Sequence, residues 1–258
     1  MTQLITQELA IVVAVKTQNP AILNEDFLKQ SGIIPAEWKL VRDPIYTDRV
    51  AQIVFENGFS IAAQPDRVMF LEAIGDKPID TISAGEVAQK YVETLRLADY
   101  QAVGINFRSY VAHQTQAAAN AYINTQLLAA GTWQKYGEGT VRASLNLVYD
   151  FPNRQLNLSI NEASIQFPEQ APTPVVLFAA NYSYDISTTE AEDKATSISK
   201  AIGNWQQDLS ECTNLITERF ISFKTSMIDG SEDISKLISG DIHTVNSEEL
   251  PMVLVPSN

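Results

Sequence analysis

The side chains most often recruited for catalysis or metal binding are scarce: the chain carries two histidines, His113 and His243, and one cysteine, Cys212. Neither histidine has a second histidine at the short spacing that zinc sites use. His243 with Glu248 and Glu249 is the one combination with ligand-like proximity, and without a further nitrogen or sulfur donor we expect no metal site there. Cys212 falls on an apolar helical stripe, where a thiol packs as a small hydrophobe and lacks the electropositive, accessible setting that makes a thiolate. No Gly-x-Ser-x-Gly elbow, phosphate-binding loop or dinucleotide fingerprint occurs, and Tyr136-Gly137-Glu138-Gly139 reads as a turn. The expectation is no catalytic residues and no cofactor. An enzyme is the less favoured class, although carboxylate chemistry leaves little trace in sequence.

The more informative set is polar and lies on strands. Where Val103, Ile105 and Phe107 face a core, the opposite face presents Gly104, Asn106, Arg108 and Tyr110. Later runs add Arg142, Ser144 and Asn146, then Asn157, Ser159 and Asn161, with Asn181 and Ser183 beside them. Asparagine is a poor strand residue, so its recurrence on one face asks for a reason. One reason is a hydrogen-bonding platform for a polar ligand or peptide. In that reading Asn106, Arg108, Tyr110, Arg142, Asn146 and Asn157 form the site, with the two arginines as anion anchors. The other is an outer face left to water, as antiparallel sheets commonly have.

Charge and composition narrow the partners. Thirty-one acidic against 18 basic residues give a net charge of −13, which disfavours nucleic acid and anionic membrane, because phosphate neutralisation needs clustered Lys and Arg. From Glu190 onward there are 12 Asp and Glu against five Lys and Arg, about half the imbalance. This excess serves solubility or, alternatively, a basic partner. No apolar run approaches the roughly 20 residues of a membrane span. Leu9–Val15 reads as a strand rather than a signal peptide, and one cysteine excludes an internal disulfide. A cytoplasmic location is inferred.

The elements that must position the polar face can be read in order. Leu9, Ile11, Val13 and Val15 mark a strand apolar enough for burial on both faces, and Asn19-Pro20 starts a short helix. A strand fragment near Trp38–Val41 lies between Pro35 and Pro44. Val50–Phe55, Phe59–Ala63 and Arg67–Ile74 form a three-stranded meander, turned by a type I′ Asn57-Gly58 and by Gln64-Pro65-Asp66. Ser83 to Glu86 reads as a capping box for a helix over Ser83–Leu95. A strand over Gln101–Ala112 and a helix over Thr115–Ala130, stopped by Gly131, follow. Val141–Tyr149, Leu156–Phe167 (with a bulge near Asn161-Glu162) and Val175–Ile186 are then strands. Last comes a long helix over Glu190–Lys224, whose stripe runs Ile198, Ile202, Trp205, Leu209, Cys212, Ile216, Phe220 and Phe223. Ile234–Ile238 and Met252–Val255 are candidates for a further short helix and an edge strand.

Arg67-Val68-Met69-Phe70-Leu71-Glu72, Tyr91-Val92-Glu93-Thr94-Leu95 and Val103-Gly104-Ile105-Asn106-Phe107 resemble segments of an uncharacterised family of bacterial proteins of about 250 residues with no assigned activity. That resemblance transfers no site. The order strand, helix, three strands, helix occurs twice, and at fold level it resembles the duplicated saddle of the TATA-box-binding protein. The acidic charge argues against that protein's DNA-bending function.

The expected fold is α+β: duplicated β-α-β-β-β-α units forming one curved, mostly antiparallel sheet with helices on one face. Residues 1–98 and 99–228 are the halves and 229–258 an acidic extension, all in one globule. The leading functional reading is a non-enzymatic binding or adaptor protein using the open polar face, with a protein or polar small molecule as partner. One alternative is a small-molecule-binding protein or enzyme with a pocket between the sheet and the long helix, near Trp205 and Tyr182 or Tyr184. The other is a structural homodimer through the 198–223 helix.

Overall fold

Strand β1 (Leu4–Val15) alternates so strongly apolar that both of its faces are buried, and the sheet is built outward from it. In the computed structural model, which describes residues 3–166, 171–184, 186 and 193–222, β1 pairs on one side with β5 (Arg67–Ala73) and on the other with β6 (Tyr100–Ala112). The remaining strands are β2 (Ile45–Tyr46), β3 (Ala51–Val54), β4 (Phe59–Gln64), β7 (Leu145–Phe151), β8 (Arg154–Ile165) and β9 (Thr173–Tyr184). They form one antiparallel nine-stranded sheet in the order β2-β3-β4-β5-β1-β6-β9-β8-β7. The expected meander over Val50–Ile74 is present. Its first turn differs, however: Gly58 N–H donates to Phe55 O, and Gly58 takes φ +81°. The loop is therefore three residues closed by a left-handed glycine, not the two-residue type I′ form.

The α-helices among the described residues pack on one face. These are α1 (Glu25–Gln30), α2 (Ala84–Thr94), α3 (Gln116–Ala121), α4 (Lys194–Gly203) and α5 (Trp205–Leu215). Leu9, Ile11, Phe70, Ile105, Leu158 and Phe178 lie beneath them in one continuous core. The opposite face carries a second, small cluster of Ala10, Val12, Ala62, Met69 and Leu71. No helix among the described residues is long and apolar enough to cross a membrane.

Several expected boundaries shift for identifiable reasons. The Ser83–Glu86 capping box does not form. Glu72, with its side chain only 2% exposed, instead accepts hydrogen bonds from Ser83 N (2.8 Å) and Ala84 N (2.8 Å) at the start of α2. A buried carboxylate from a neighbouring strand satisfies those orphan amides and interacts favourably with the positive end of the helix dipole. The Thr115–Ala130 helix is α3 followed by one wide turn, Tyr122–Leu127, of i→i+5 type. The long helix breaks at Asn204 into α4 and α5, and another wide turn, Ile216–Ile221, follows. No bulge occurs near Asn161-Glu162: the β8–β9 ladder stays in register from Arg154 to Ile165. The β1–β6 ladder carries the register shifts instead: Gln7 is extra between the Thr6–Ser109 and Glu8–Arg108 pairs, its carbonyl accepting from Ile74 N–H, and Gln101 is extra between the Ala14–Ala102 and Val15–Tyr100 pairs.

Ile198, Ile202, Trp205, Cys212 and Ile216 are buried against this chain's own core, so a homodimer through that stripe would need those contacts broken. Phe167, Phe223, His243, Glu248, Glu249 and the 229–258 extension with its Ile234–Ile238 and Met252–Val255 segments lie outside the described residues.

Where α2 meets α5, a Cβ on Gly85 would sit 2.3 Å from Trp205 Nε1 and 2.6 Å from Cδ1, and Trp205 is itself buried. Gly85→Ala should therefore overpack this contact and lower stability by about 1–3 kcal/mol, measured by urea unfolding. An unchanged midpoint would show that the indole has room to move.

Candidate functional site

The polar face exists, but its amides are largely committed to one another. Asn106, Asn181 and Asn157 lie directly opposite across β6, β9 and β8. Asn106 Nδ2 donates to Ala10 O (3.0 Å) and its Oδ1 accepts from Asn181 Nδ2 (2.6 Å). Gly104 makes room for this row, since a Cβ there would come within 3.1 Å of Asn181 Nδ2. Arg108 opposes Glu8 across the β1–β6 ladder, and burial raises the Glu8 carboxyl while the Arg108 charge lowers it, the net direction being up. Tyr110 is buried rather than presented. Asn157 and Ser159 are half-buried, and Asn146, near the edge on β7, is exposed.

Arg142 is the clear correction. It is not on the sheet face, because β7 begins only at Leu145 and the preceding segment is not a strand. Arg142 instead joins Glu162 in an ion pair on the helix side. Glu162 occupies the core-facing parity of β8, the parity of Leu158 and Ile160. A glutamate at a core position, and not a bulge, breaks the apolar pattern there.

This ion pair sits in an open cleft of about 860 Å³ between α3 and the far end of β8, within the size range of small-molecule sites. Gln116, Asn120 and Asn124 line it at four-residue spacing, so one helix face projects three carboxamides into the same space. Gln116 Nε2 donates to Glu162 Oε2 (3.2 Å). Asn120 Nδ2 donates to Val141 O (3.0 Å), and Asn124 Nδ2 donates both to Val141 O and to Asn120 Oδ1 (2.9 Å). Because these partners are acceptors, the Asn124 amide is fixed with nitrogen toward them, and its Oδ1 is buried with no hydrogen-bond partner among the described residues. Gln134 clamps the rim: its Nε2 donates to Asn124 O (2.7 Å) and its Oε1 accepts from Gly131 N (3.1 Å). The wide helical turn begins in this wall, a distortion often found at functional sites. Burial pushes the Glu162 carboxyl up, but hydrogen bonds from Arg142, Gln116 and Asn120 outweigh it and hold the group below its ordinary value. It is a carboxylate at neutral pH.

A second polar cluster lies under α5. Arg154 is ion-paired to Asp208 and Glu211, Tyr184 donates to Asp208 Oδ2 (2.7 Å), and the guanidinium stands 5.1 Å from the ring centres of Phe151 and Tyr182. Asp208 is fully buried, whereas Leu209, assigned to the stripe from sequence, is only half-buried. The expected pocket near Trp205, Tyr182 and Tyr184 is thus occupied: Trp205 packs on Gly85, and the tyrosines enclose Arg154. Perturbed groups of this kind occur at active sites and in structural ion-pair networks alike. This one is enclosed, and it fixes α5 to β8 and β9. Burial also pushes the Cys212 thiol up to about 12, leaving it unreactive at neutral pH. His113 directly follows β6, with its ring 5.6 Å from that of Tyr122.

The cleft residues Gln116, Asn120, Asn124, Gln134 and Glu162 were missed from sequence. Two signals pointed to them: amides recurring every four residues along a helix whose apolar stripe is short, and an acidic residue where the strand period requires an apolar one.

Burial raises Asp208 to about 6, against the opposing effects of Tyr184 and Arg154. Between about pH 4 and pH 6 the folded protein therefore holds a proton that the unfolded chain has released. The stability linked to this group is present below that window and lost as pH rises through it. The stability advantage of the native protein over Asp208→Asn should accordingly be larger at pH 4 than at pH 7 in paired urea titrations. A flat difference would place the Asp208 pKa near that of an ordinary aspartate.

No protein-family model matches the chain, and no curated protein matches it.

Proposed function

We propose that this is a non-enzymatic binding protein that holds a small polar ligand in the cleft between α3 and β8. The observation that carries the reading is the cleft itself, about 860 Å³ walled by carboxamides on one helix and one ion pair on the facing strand. Convergent polar groups without an activated nucleophile favour retention of a ligand over its conversion. Ala117 and Ala121 are exposed on the same wall. Ala121→Trp should therefore fill the cleft while leaving the melting temperature within about 2 °C, since surface changes usually stay within about 0.5 kcal/mol. Native mass spectrometry of the purified protein should then show a small-molecule adduct that the variant lacks. Equal spectra, both free of adduct or both carrying it, would count against the cleft.

The open face supports a second reading, an adaptor surface formed by Asn106, Arg108, Tyr110, Asn146 and Asn157, without Arg142. The exposed Asn146 and the half-buried Asn157 and Arg108 favour it, and the mutual bonding of Asn106 and Asn181 counts against it. Under this reading Arg108→Ala abolishes partner retention in a pull-down and Arg142→Ala does not. Loss with both variants, or with neither, argues against a sheet-face surface.

We also infer that the two halves are structural repeats. The strand order supports this: read from each edge toward the β1–β6 contact, β3-β4-β5-β1 matches β7-β8-β9-β6. The likeness to the duplicated TATA-box-binding saddle extends no further than this arrangement.

A further inference from the structure

We propose that β7 is a docking edge for a second copy of this chain, joined strand to strand across a two-fold axis at Val148. The first ground is the contrast between the two ends of the sheet. The β2 end is blunted: β2 has two residues, and Pro44 directly precedes it. The β7 end is not. Among the described residues β7 pairs only with β8, over the seven residues Leu145 to Phe151 and without a register shift. Its sequence holds no proline, no lysine and one charge, Asp150. Native proteins commonly protect such an edge with a short strand, lysine, proline or a bulge. Here Val148 (57% exposed) and Phe151 (39% exposed) are left to solvent instead.

The second ground is which backbone groups point outward. The two-residue loop Pro152-Asn153 makes Phe151 and Arg154 the closing pair of the β7–β8 hairpin. A closing pair of that kind exchanges its ladder bonds, and bonded pairs then alternate with unbonded ones along an antiparallel ladder. Phe151, Tyr149, Leu147 and Leu145 therefore bond to β8. The N–H and C=O groups of Asn146, Val148 and Asp150 face the other way, toward the outer edge.

The third ground is self-complementarity, and it selects the occupant. A two-fold axis at Val148 puts every outward-facing residue into a bonded pair: Val148 with its own copy, and Asn146 with Asp150 of the second copy. On the helix side the same register sets Leu145 opposite Phe151 and Leu147 opposite Tyr149, apolar against apolar. The one charge of the strand meets an amide rather than its own copy. This register also pairs all seven residues. Moving the axis to Leu147 or Tyr149 leaves two unpaired and brings Val148 against Asn146 or Asp150. Leu145, Leu147 and Tyr149 are only half-buried at the margin of the core, and the second copy extends the cover over them. Both copies keep their helices on the same side of the joined sheet. Because the contact is isologous and the β2 ends are blunted, assembly closes at two copies.

The test uses the full-length protein at tens of micromolar and about 0.15 M salt, which screens the long-range repulsion of two chains of net charge −13. Sedimentation equilibrium should give twice 28.5 kDa and no larger species. Val148→Lys sets two like charges face to face at the axis and should raise the dimer dissociation constant about tenfold or more. Its far-UV circular dichroism spectrum should be unchanged, because the side chain is exposed. Val148→Cys should form a disulfide-linked dimer on mild oxidation, since bonded partners stand about 5.5 Å apart between Cα atoms. Asn146→Cys should not, because its own copy lies about 14 Å away in this register. The native Cys212 is buried and does not compete. A monomeric mass, assemblies larger than two, a dimer untouched by Val148→Lys, or equal cross-linking from Val148→Cys and Asn146→Cys each overturn the proposal. If Val148→Lys fails to fold, the two cysteine variants decide it by themselves.

Discussion

The β1–β6 ladder is the contact on which the structure depends. Eleven residue pairs, from Leu4–Val111 to Val15–Tyr100, hold the five strands β2-β3-β4-β5-β1 and the four strands β6-β9-β8-β7 edge to edge, so the described residues form one continuous sheet over one main core. The register at the centre turns the apolar sides of both groups the same way, and the helices among the described residues pack on that side. The opposite side is left with side chains able to cover one another, such as Ala10, Val12 and Met69 in one half, or to hydrogen-bond one another, such as Asn106 and Asn181 in the other.

Placing all helices on one layer creates junctions where helix termini and polar groups meet the core. Three carboxylates sit at these junctions, and each is compensated differently. Glu72 is held by the first amides of α2 and by Lys77. Asp208 is held by Arg154 and Tyr184 within an aromatic enclosure. Glu162 is held by Arg142 and two side-chain amides. The first two are sealed by packing, and their chemistry ends in stability, since a buried charge persists only when paired and hydrogen-bonded. The third opens into a cleft. The difference lies in the covering helix: α2 and α5 each run 11 residues, whereas α3 runs six before its turn widens. A short helix cannot bury a long strand end, and the uncovered length lines the cleft.

The asparagine row has a structural role within the sheet. Asn106, Asn181 and Asn157 stand opposite one another because antiparallel register aligns them. An amide can both donate and accept, so neighbouring strands are joined on a face that lacks apolar contacts there. The capacity a partner would use is partly spent within the sheet.

Periodicity alone located the longer strands and their buried face, because alternation with period two fixes which face of a strand is buried whatever its neighbours are. It missed β2, turned the single Leu40–Phe55 bridge into a strand fragment over Trp38–Val41, and began β7 too early. The burial of β1 on both faces was legible in the same way, from its unbroken apolar run. What tertiary structure decided were the interactions between residues far apart in sequence. The cap on α2 comes from Glu72, a strand away, so the local Ser83–Glu86 pattern misleads. Asp208 replaces Leu209 as the buried residue because Arg154, 54 residues earlier, lies beneath it. Arg142, adjacent in sequence to a strand, is drawn off it by Glu162 across 20 residues. Sequence pattern records which side chains prefer water. It does not record which buried charge will meet its partner, since that depends on where two distant segments cross.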